Sequence, residues 1–305
     1  MTRVILDCDP GHDDAVAILL ALANPAIDLV AITTVAGNQT LARTTENARR
    51  VLALAGRTDV PVAAGADRPL TRELVVAPDI HGASGIDGAE LPEPVVATDP
   101  RGALRLIGDE LTPDTVLVAT GPLTNVAAVL AQGGTPREIV WMGGAIALGN
   151  VTPAAEFNAF VDPEAAAAVV ASGIPLTIVP LDLTHQICAT PEVQERIGAL
   201  GTPLATAVLG LLRFFESTYR DVFGMPHPPV HDPATIAWLI DPTLFGGDRR
   251  HVAIETEGRY TAGMTVVDVH GKLGLEPNAL VLTRVDAAGF WDLVIEALRQ
   301  LGESR

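Results

Sequence analysis

Four carboxylates stand close together in the segment DCDPGHDD, at positions Asp7, Asp9, Asp13 and Asp14. Like charges at this spacing repel one another unless something compensates them. Helix capping accounts for one or two of the four, because negative charge is favourable in the first turn of a helix. A hard divalent cation accounts for all of them. Mg²⁺ takes few protein ligands and keeps its waters, whereas Ca²⁺ accepts more carboxylate and carbonyl oxygens.

Further polar residues stand where they could join this cluster. The segment TGPLTN at 120–125 follows an apolar run, so its backbone carbonyls are candidate ligands. His231 and Asp232 precede the helix-like segment ATIAWLI, where Asp232 by itself would more often be an N-cap. Amides and carboxylates that suit sugar hydroxyls, but that are also typical of turns, occur at Asn38, Asn150, Glu156 and Asn158.

The elements that would position these residues alternate along the chain. Such an order predicts an α/β fold with a mostly parallel, Rossmann-like central sheet flanked by helices. In sheets of this kind ligands bind at the carboxyl ends of the strands, where the polar residues fall. The apolar runs predict strands at 3–7, 27–35, 115–119, 138–142 and 176–179, and the helical patterns lie at 13–23, 41–55, 100–111, 124–131, 163–171 and 202–223.

One long segment has no clear periodicity. Residues 65–95 carry many Gly, Pro and Asp residues, which is typical of a functional or disordered loop. The sequence contains no internal repeat, low-complexity tract or shift of composition that would mark a linker. We therefore expect residues 1–305 to form a single domain.

Composition narrows the classes of function. The net charge of −17 and the scarcity of Lys and Arg argue against a nucleic-acid partner, while 48% apolar residues are ample for a large core. There is no apolar run long enough for a membrane span, and acidic residues come early, so we expect a cytoplasmic protein. Cys8 and Cys188 are too few for a disulfide framework, and we expect both to be small buried hydrophobes.

Eight segments occur in this order along the chain: DCDPGHDDAVAILLA, ITTVAGNQT, DIHGASGIDG, ATGPLTN, WMGGA, AEFNAFVDPEAA, LDLTHQ and VHDPATIAW. Together they resemble the nucleoside hydrolases, and within them the inosine-uridine-preferring branch. The resemblance implies a homo-oligomer, a tetramer or a dimer, with one Ca²⁺ in each subunit. It also implies hydrolysis of the N-glycosidic bond of ribonucleosides, with inosine and uridine first, then cytidine and other purine nucleosides.

The resemblance also assigns roles to residues of the matching segments. Ca²⁺ would be held by the side chains of Asp9, Asp14 and Asp232 and by the main-chain oxygen of Thr120. Residues matching those around the nucleoside are Asp13, Asn38 and Asn158 at the ribose 2′- and 3′-hydroxyls, Asn150 and Glu156 near its 5′ end, Met142 and Phe157 against the sugar, and His81 in the loop that closes over the nucleobase.

The implied chemistry is direct attack by water with inversion at ribose C1′. Asp9 would be the general base toward this water, and His231 would protonate a purine leaving group, with less importance for a pyrimidine. The helix that contacts the base in this family is only loosely matched at 213–229, where Tyr219 and Phe223 are candidate contacts.

Two other functions stay open at this stage. A metal-dependent phosphotransferase could use Asp7 and Asp9, although Pro10 and Gly11 replace the hydroxyl residue that such enzymes place after the second aspartate. A calcium-dependent nucleoside- or sugar-binding protein without turnover is the second. The presence of both Asp9 and His231 argues against it.

Overall fold

The computed structural model describes residues 1–303. Its strands are β1 Thr2–Cys8, β2 Ile27–Thr34, β3 Val62–Ala64, β4 Val116–Ala119, β5 Glu138–Met142, β6 Leu176–Val179, β7 Phe245–Arg250, β8 Val252–Ile254, β9 Thr265–Val267 and β10 Ala279–Val285. Eight of them form the central sheet in the order β3-β2-β1-β4-β5-β6-β10-β7, in which only the β10–β7 pair is antiparallel. A separate antiparallel ribbon pairs β8 with β9.

Helices cover both faces of the sheet, so the strands read as continuous apolar runs rather than as alternating ones. Two hydrophobic clusters result, one on each side of strands β1, β4 and β5. The helices are α1 His12–Ala23, α2 Leu41–Ala55, α3 Pro78–His81, α4 Ala103–Glu110, α5 Thr124–Ala131, α6 Phe157–Val161, α7 Pro163–Val170, α8 Leu181–Thr184, α9 Pro191–Gly198, α10 Pro203–Phe223, α11 Pro233–Ile240 and α12 Ala287–Glu303, with a 3₁₀ turn at Pro242–Leu244.

Strand order creates a crevice beside β1. The chain runs from β1 to β2 on one side, and later returns to β4 on the other side of β1. In the register of these strands, Cys8 is paired with Thr34 and Asp7 with Ala119. The segments that follow β1, β2 and β4 therefore leave the sheet at one edge, at the switch point where open α/β sheets bind ligands.

The predicted α/β fold is confirmed, and every predicted strand and helix is present with bounds that differ by at most three residues. The strands β3 and β7 to β10 and the helices α6, α8, α9 and α12 have no counterpart in the prediction. Residues 65–95, predicted as a loop, include the short helix α3. Cys8 is buried as expected, but the expectation for Cys188 is wrong: it is half-buried, in an isolated bridge with Pro229.

Helix α1 is buried from His12 to Leu22, because it packs between the sheet and the helices α2, α11 and α12. Its residues 15–22, AVAILLAL, are all apolar, which suits a helix without a solvent-facing side. The helix begins directly after the acidic segment and therefore anchors it. No helix in residues 1–303, α1 included, is both long enough and apolar enough to cross a membrane.

Burial of α1 leads to a first prediction. Leu19 has no exposed surface, so Leu19→Ala should lower the free energy of unfolding by about 2–5 kcal/mol through lost burial and a residual cavity. Leu148, which is 72% exposed, is the matched control. Leu148→Ala should change the free energy of unfolding by less than about 0.5 kcal/mol. Urea unfolding at one protein concentration measures both. Equal losses in the two variants would contradict this description of the core.

Candidate active site

Three carboxylates converge at the crevice beside β1. One oxygen from each of Asp13, Asp14 and Asp232 lies within 4.8 Å of the others, and all three residues are buried. Asp13 and Asp14 come from the first turn of α1, whereas Asp232 precedes α11. Among residues 1–303, no ion pair includes any of them.

Helix capping does not explain this arrangement. Asp232 is at the N-cap position of α11, yet its side chain accepts no capping hydrogen bond. Asp14 does accept a hydrogen bond from the backbone N–H of Gly11, at 2.9 Å, through Oδ2. Its Oδ1 accepts one from the hydroxyl of Thr120 at 2.7 Å. Capping therefore involves only Oδ2 of Asp14. It does not explain why the three carboxylates lie together.

Asp9 lies at the end of β1, beside this group of three. Its Oδ2 accepts the backbone N–H of Asn38 at 2.6 Å, while its buried Oδ1 has no hydrogen-bond partner in residues 1–303. Two loops approach it so closely that only glycine fits: a Cβ on Gly37 would lie 2.1 Å from Oδ2, and one on Gly121 2.8 Å from Oδ1. Asp9 is thus held in place with one free oxygen.

Burial is the main cause of the raised pKa values of these carboxyl groups. It raises the pKa of Asp9, Asp13, Asp14 and Asp232 above the ordinary value, and repulsion between the carboxylates adds to the effect for Asp9, Asp13 and Asp232. A divalent cation would remove both penalties. The donors are all oxygens, which suits a hard cation such as Ca²⁺ or Mg²⁺ rather than a thiophilic metal.

Two amide side chains connect the loops around the carboxylates. Asn38 donates from Nδ2 to the backbone oxygen of Asp9 at 3.2 Å and to Oδ2 of Asp14 at 3.3 Å. Asn158 donates from Nδ2 to the backbone oxygens of Thr120 and Met142, both at 3.0 Å. The Thr120 carbonyl, the predicted main-chain ligand, therefore already accepts one hydrogen bond.

A second wall of the cavity comes from the segment around α6. Glu156 accepts backbone N–H groups of Gly144, Asn158 and Ala159, so its carboxylate holds the loop after β5 against α6. Burial raises the pKa of Glu156 to about 7, although these N–H donors oppose the shift. Asn150 accepts the backbone N–H of Phe157 at 2.9 Å.

The third wall consists of aromatic side chains of α10. Phe215, Tyr219 and Phe223 recur every four residues and all line the cavity. Phe215 packs edge-on against Tyr219, with ring centroids 4.7 Å apart. The sequence analysis proposed Tyr219 and Phe223 but missed Phe215. The i, i+4, i+8 spacing within 213–229 is the signal that identifies it, because such residues share one face of a helix.

His231 is enclosed by two hydroxyl groups. Its Nδ1 is 2.7 Å from the hydroxyl of Thr184, and its Nε2 is 2.8 Å from that of Tyr219. Burial lowers the pKa of His231 to about 3, so the ring is neutral near pH 7. Because both ring nitrogens are occupied, a proton passing from His231 to a leaving group must cross the Tyr219 hydroxyl or displace it.

The carboxylate group, the segment around α6 and the aromatic side chains of α10 line a cavity that is open to solvent and has an empty volume of about 580 Å³. Asp9 and Asp14, fully buried, lie behind its surface rather than on it. Ile80 and Ala77, to which the sequence assigned no role, also line it. The predicted site residues on its surface are Asp13, Asn38, His81, Thr120, Met142, Asn150, Glu156, Phe157, Asn158, His231 and Asp232.

The residues of this site lie within a stretch of the chain that matches a known protein family. The model of the family described as "Inosine-uridine preferring nucleoside hydrolase" matches residues 4–292. The chain belongs to this family. Family membership supports ribonucleoside hydrolysis, and the protein is accordingly an N-glycosyl hydrolase.

Two bacterial relatives are similar to this protein over nearly the whole chain. The pyrimidine-specific ribonucleoside hydrolase RihA of Shewanella woodyi is 50% identical, with 98% of each chain covered. RihA of Escherichia coli K12 is 49% identical, with 97% of this chain and 98% of its own covered. The match includes the acidic segment as well as the carboxyl-terminal elements that the sequence analysis left unassigned.

A solved nucleoside hydrolase structure has the same fold. The purine-preferring ribonucleoside hydrolase from Gardnerella vaginalis superimposes with a TM-score of 0.92 at 30% identity, covering 100% of both chains. The plant nucleoside hydrolase PpNRh1 gives a TM-score of 0.89 at 31% identity, with 98% of this chain and 99% of its own covered. One fold thus carries enzymes named for different bases.

The raised pKa values predict how stability depends on pH when a chelator is present. Folded Asp13 has a pKa of about 7 against an ordinary value of 3.8, so the folded state binds more protons between these values. The free energy of unfolding should therefore fall as pH rises from 5 to 8. Asp13→Asn should make this fall shallower, as measured by urea unfolding in a chelating buffer. A rise of stability over the same interval would contradict the assignment.

Proposed function

We propose that the protein hydrolyses the N-glycosidic bond of pyrimidine ribonucleosides, uridine and cytidine first and inosine more slowly, in a calcium-dependent reaction. The observation that carries the proposal is the free, buried Oδ1 of Asp9 beside three converging carboxylates that lack a cationic partner in residues 1–303. The preference for pyrimidines is supported by the names of the relatives that are about 50% identical.

Calcium is the cation that fits the donors best. The side chains of Asp9, Asp14 and Asp232 would hold it together with the carbonyl of Thr120, and Asp13 is close enough to Asp14 and Asp232 to contribute. Ca²⁺ accepts such a large set of protein oxygens, whereas Mg²⁺ takes fewer and keeps its waters. When bound, the cation would supply positive charge that favours deprotonation of a nucleophilic water.

Asp9 is the general base of the proposed mechanism. Its Oδ2 is fixed by the backbone of Asn38, so its Oδ1 is held ready to take a proton from water. Attack of this water at ribose C1′ would break the bond to the nucleobase and invert the configuration at that carbon. The negative charge of Asp9 and Asp13 would stabilise the positive charge that develops on the sugar.

Amide and carboxylate groups around the cavity would hold the ribose. Asp13, Asn38 and Asn158 line the cavity beside the carboxylates, where they would bind the 2′- and 3′-hydroxyls. On the α6 wall, Asn150 and Glu156 would face the 5′ end. Sugar hydroxyls both donate and accept hydrogen bonds, which matches this mixture of amides and carboxylates.

The aromatic wall would contact the nucleobase. Phe215 and Tyr219 offer flat apolar surfaces for stacking, and the Tyr219 hydroxyl connects the cavity with His231. This pair would give a proton to a purine base. A pyrimidine has no ring nitrogen that corresponds to the purine N7, so its departure would depend less on His231.

We also propose that the protein acts as a homo-oligomer, a tetramer or a dimer. Large apolar side chains at the surface support this proposal, since exposed apolar surface can be buried between subunits. Tyr260 is 76% exposed, and Leu273 and Leu275 in the same part of the chain are more than half exposed.

A substrate panel tests the proposed reaction directly. Release of reducing sugar from uridine and cytidine should exceed release from inosine, adenosine and guanosine. A chelator should abolish it and added Ca²⁺ should restore it, because the carboxylates cannot all ionise without a cation. Absence of ribose release from every nucleoside in calcium-replete protein would refute the proposal.

Substitution of the proposed general base is the second test. Asp9→Asn keeps the shape of the side chain and its contact with Asn38 but removes the base, so kcat on uridine should fall on the order of 10²- to 10⁴-fold. The surface change Asp114→Asn serves as control and should leave kcat unaltered. Circular dichroism confirms that both variants fold. Wild-type kcat in Asp9→Asn would assign the base to another group.

A further inference from the structure

His12 lies within the acidic segment, and no step of the proposed reaction uses it. Its imidazole is fully buried and stacks against Phe214 and Phe215, with ring centroids 5.3 and 5.1 Å apart. Its Nε2 is 2.7 Å from the backbone oxygen of Asp87, and its Nδ1 is 3.2 Å from Nδ1 of His81. His12 thus joins α1 to the segment 78–88 that carries His81.

These contacts determine which nitrogen carries the proton. A backbone oxygen only accepts hydrogen bonds, so Nε2 of His12 must be protonated in order to donate to Asp87. A neutral imidazole then has a lone pair on Nδ1, which can only accept. A positive charge on the His12 ring is disfavoured because the ring is fully buried and would lose its hydration. His81 must therefore donate from its own Nδ1.

The remaining nitrogen of His81 follows from this arrangement. His81 is buried, and burial lowers the pKa of its ring below the ordinary value, so the ring is neutral. With the proton on Nδ1, its lone pair is on Nε2. Within residues 1–303 this atom makes no hydrogen bond, and it is not among the fully enclosed unpartnered atoms. Because His81 lines the cavity, the lone pair is available to a molecule bound there.

We infer that His12 is a positioning residue that fixes the tautomer of His81, so that Nε2 of His81 accepts a hydrogen bond from an N–H group of the nucleobase. This inference rests on the proposed function, because it names the substrate group that the cavity selects. Uracil offers such a donor at N3 and cytosine at its exocyclic amino group. A base whose facing edge only accepts would leave this hydrogen bond unmade.

The surroundings of His81 favour the base over the sugar as its partner. Its ring lies 5.4 Å from that of Phe215, on the aromatic wall. The groups proposed for the 5′ end, Asn150 and Glu156, hold the separate α6 wall. A ribose 5′-hydroxyl is also a donor, and substrate analogues distinguish it from the base.

Other contacts hold the same segment without touching the ring. The Thr218 hydroxyl donates to the backbone oxygen of Ile80 at 3.0 Å, and Asn47 donates to that of Ser84 at 3.0 Å. They separate two possible roles of His12. Loss of the Thr218 hydroxyl would only loosen the segment. Loss of His12 would in addition allow the proton of His81 to move from Nδ1 to Nε2.

The tautomer is measurable without any activity assay. In full-length protein labelled with ¹⁵N-histidine, two-bond ¹H–¹⁵N correlations distinguish protonated from unprotonated ring nitrogens, and His81→Asn identifies the signals of His81. We expect Nδ1 of His81 to be protonated and Nε2 to be unprotonated. A proton on Nε2 of His81 in the substrate-free protein would overturn the inference.

Kinetics with matched analogues tests the consequence for specificity. 3-Methyluridine lacks the N3–H donor, so wild-type kcat/KM should be roughly ten- to a hundredfold lower than with uridine. His12→Phe keeps a buried aromatic ring but neither hydrogen bond. This variant should lose activity on uridine and bring the two substrates close to equality. Thr218→Val should preserve the wild-type ratio.

The remaining outcomes count against the inference. A ratio of uridine to 3-methyluridine that is the same in His12→Phe and in wild type would overturn it, as would an equal collapse of the ratio in Thr218→Val. If His12→Phe instead removes the preference for uridine over 5′-deoxyuridine, Nε2 of His81 accepts a hydrogen bond from the ribose 5′-hydroxyl. The assignment to the nucleobase is then wrong. Complete lack of hydrolysis would refute the proposed function, while the tautomer measurement would still decide the arrangement of the two histidines.

Discussion

Carboxylates that are buried together repel one another in surroundings that screen their charges poorly. At the end of β1, Asp9 adjoins the convergent group of Asp13, Asp14 and Asp232, and no ion pair within residues 1–303 relieves the repulsion. The rest of the site holds this unfavourable arrangement in place: backbone N–H groups and amides fix single oxygens, and a buried helix anchors two of the four residues.

The sheet is what makes such an arrangement possible. Because β1 lies between β2 and β4, the loops that follow all three strands meet over its end. Gly37 and Gly121 let these loops approach the Asp9 carboxylate more closely than any other residue would allow. A strand order with β1 at the edge would bring only one of the two loops to it. The position of the site is therefore a property of topology as much as of the acidic motif.

Periodicity and strand-end position were sufficient to predict the central strands of the sheet, most of its longer flanking helices and the cavity residues of the acidic segment. They were insufficient for contacts between distant elements. Phe215 joins the site only because α10 turns one face toward it, and His12 becomes informative only when the segment 78–88 returns to α1. The antiparallel strand β7 was missed because FGGDRR has neither alternation nor a continuous apolar run.

The convergence of Asp14 and Asp232 also bears on how the chain holds together. The two residues are more than two hundred positions apart, and both cysteines are free, so no disulfide links the ends of this long segment in residues 1–303. A cation gripped by both carboxylates would act as a reversible crosslink that closes this loop in the folded state alone. The cation that activates water would then also link the first βα unit to the last third of the protein.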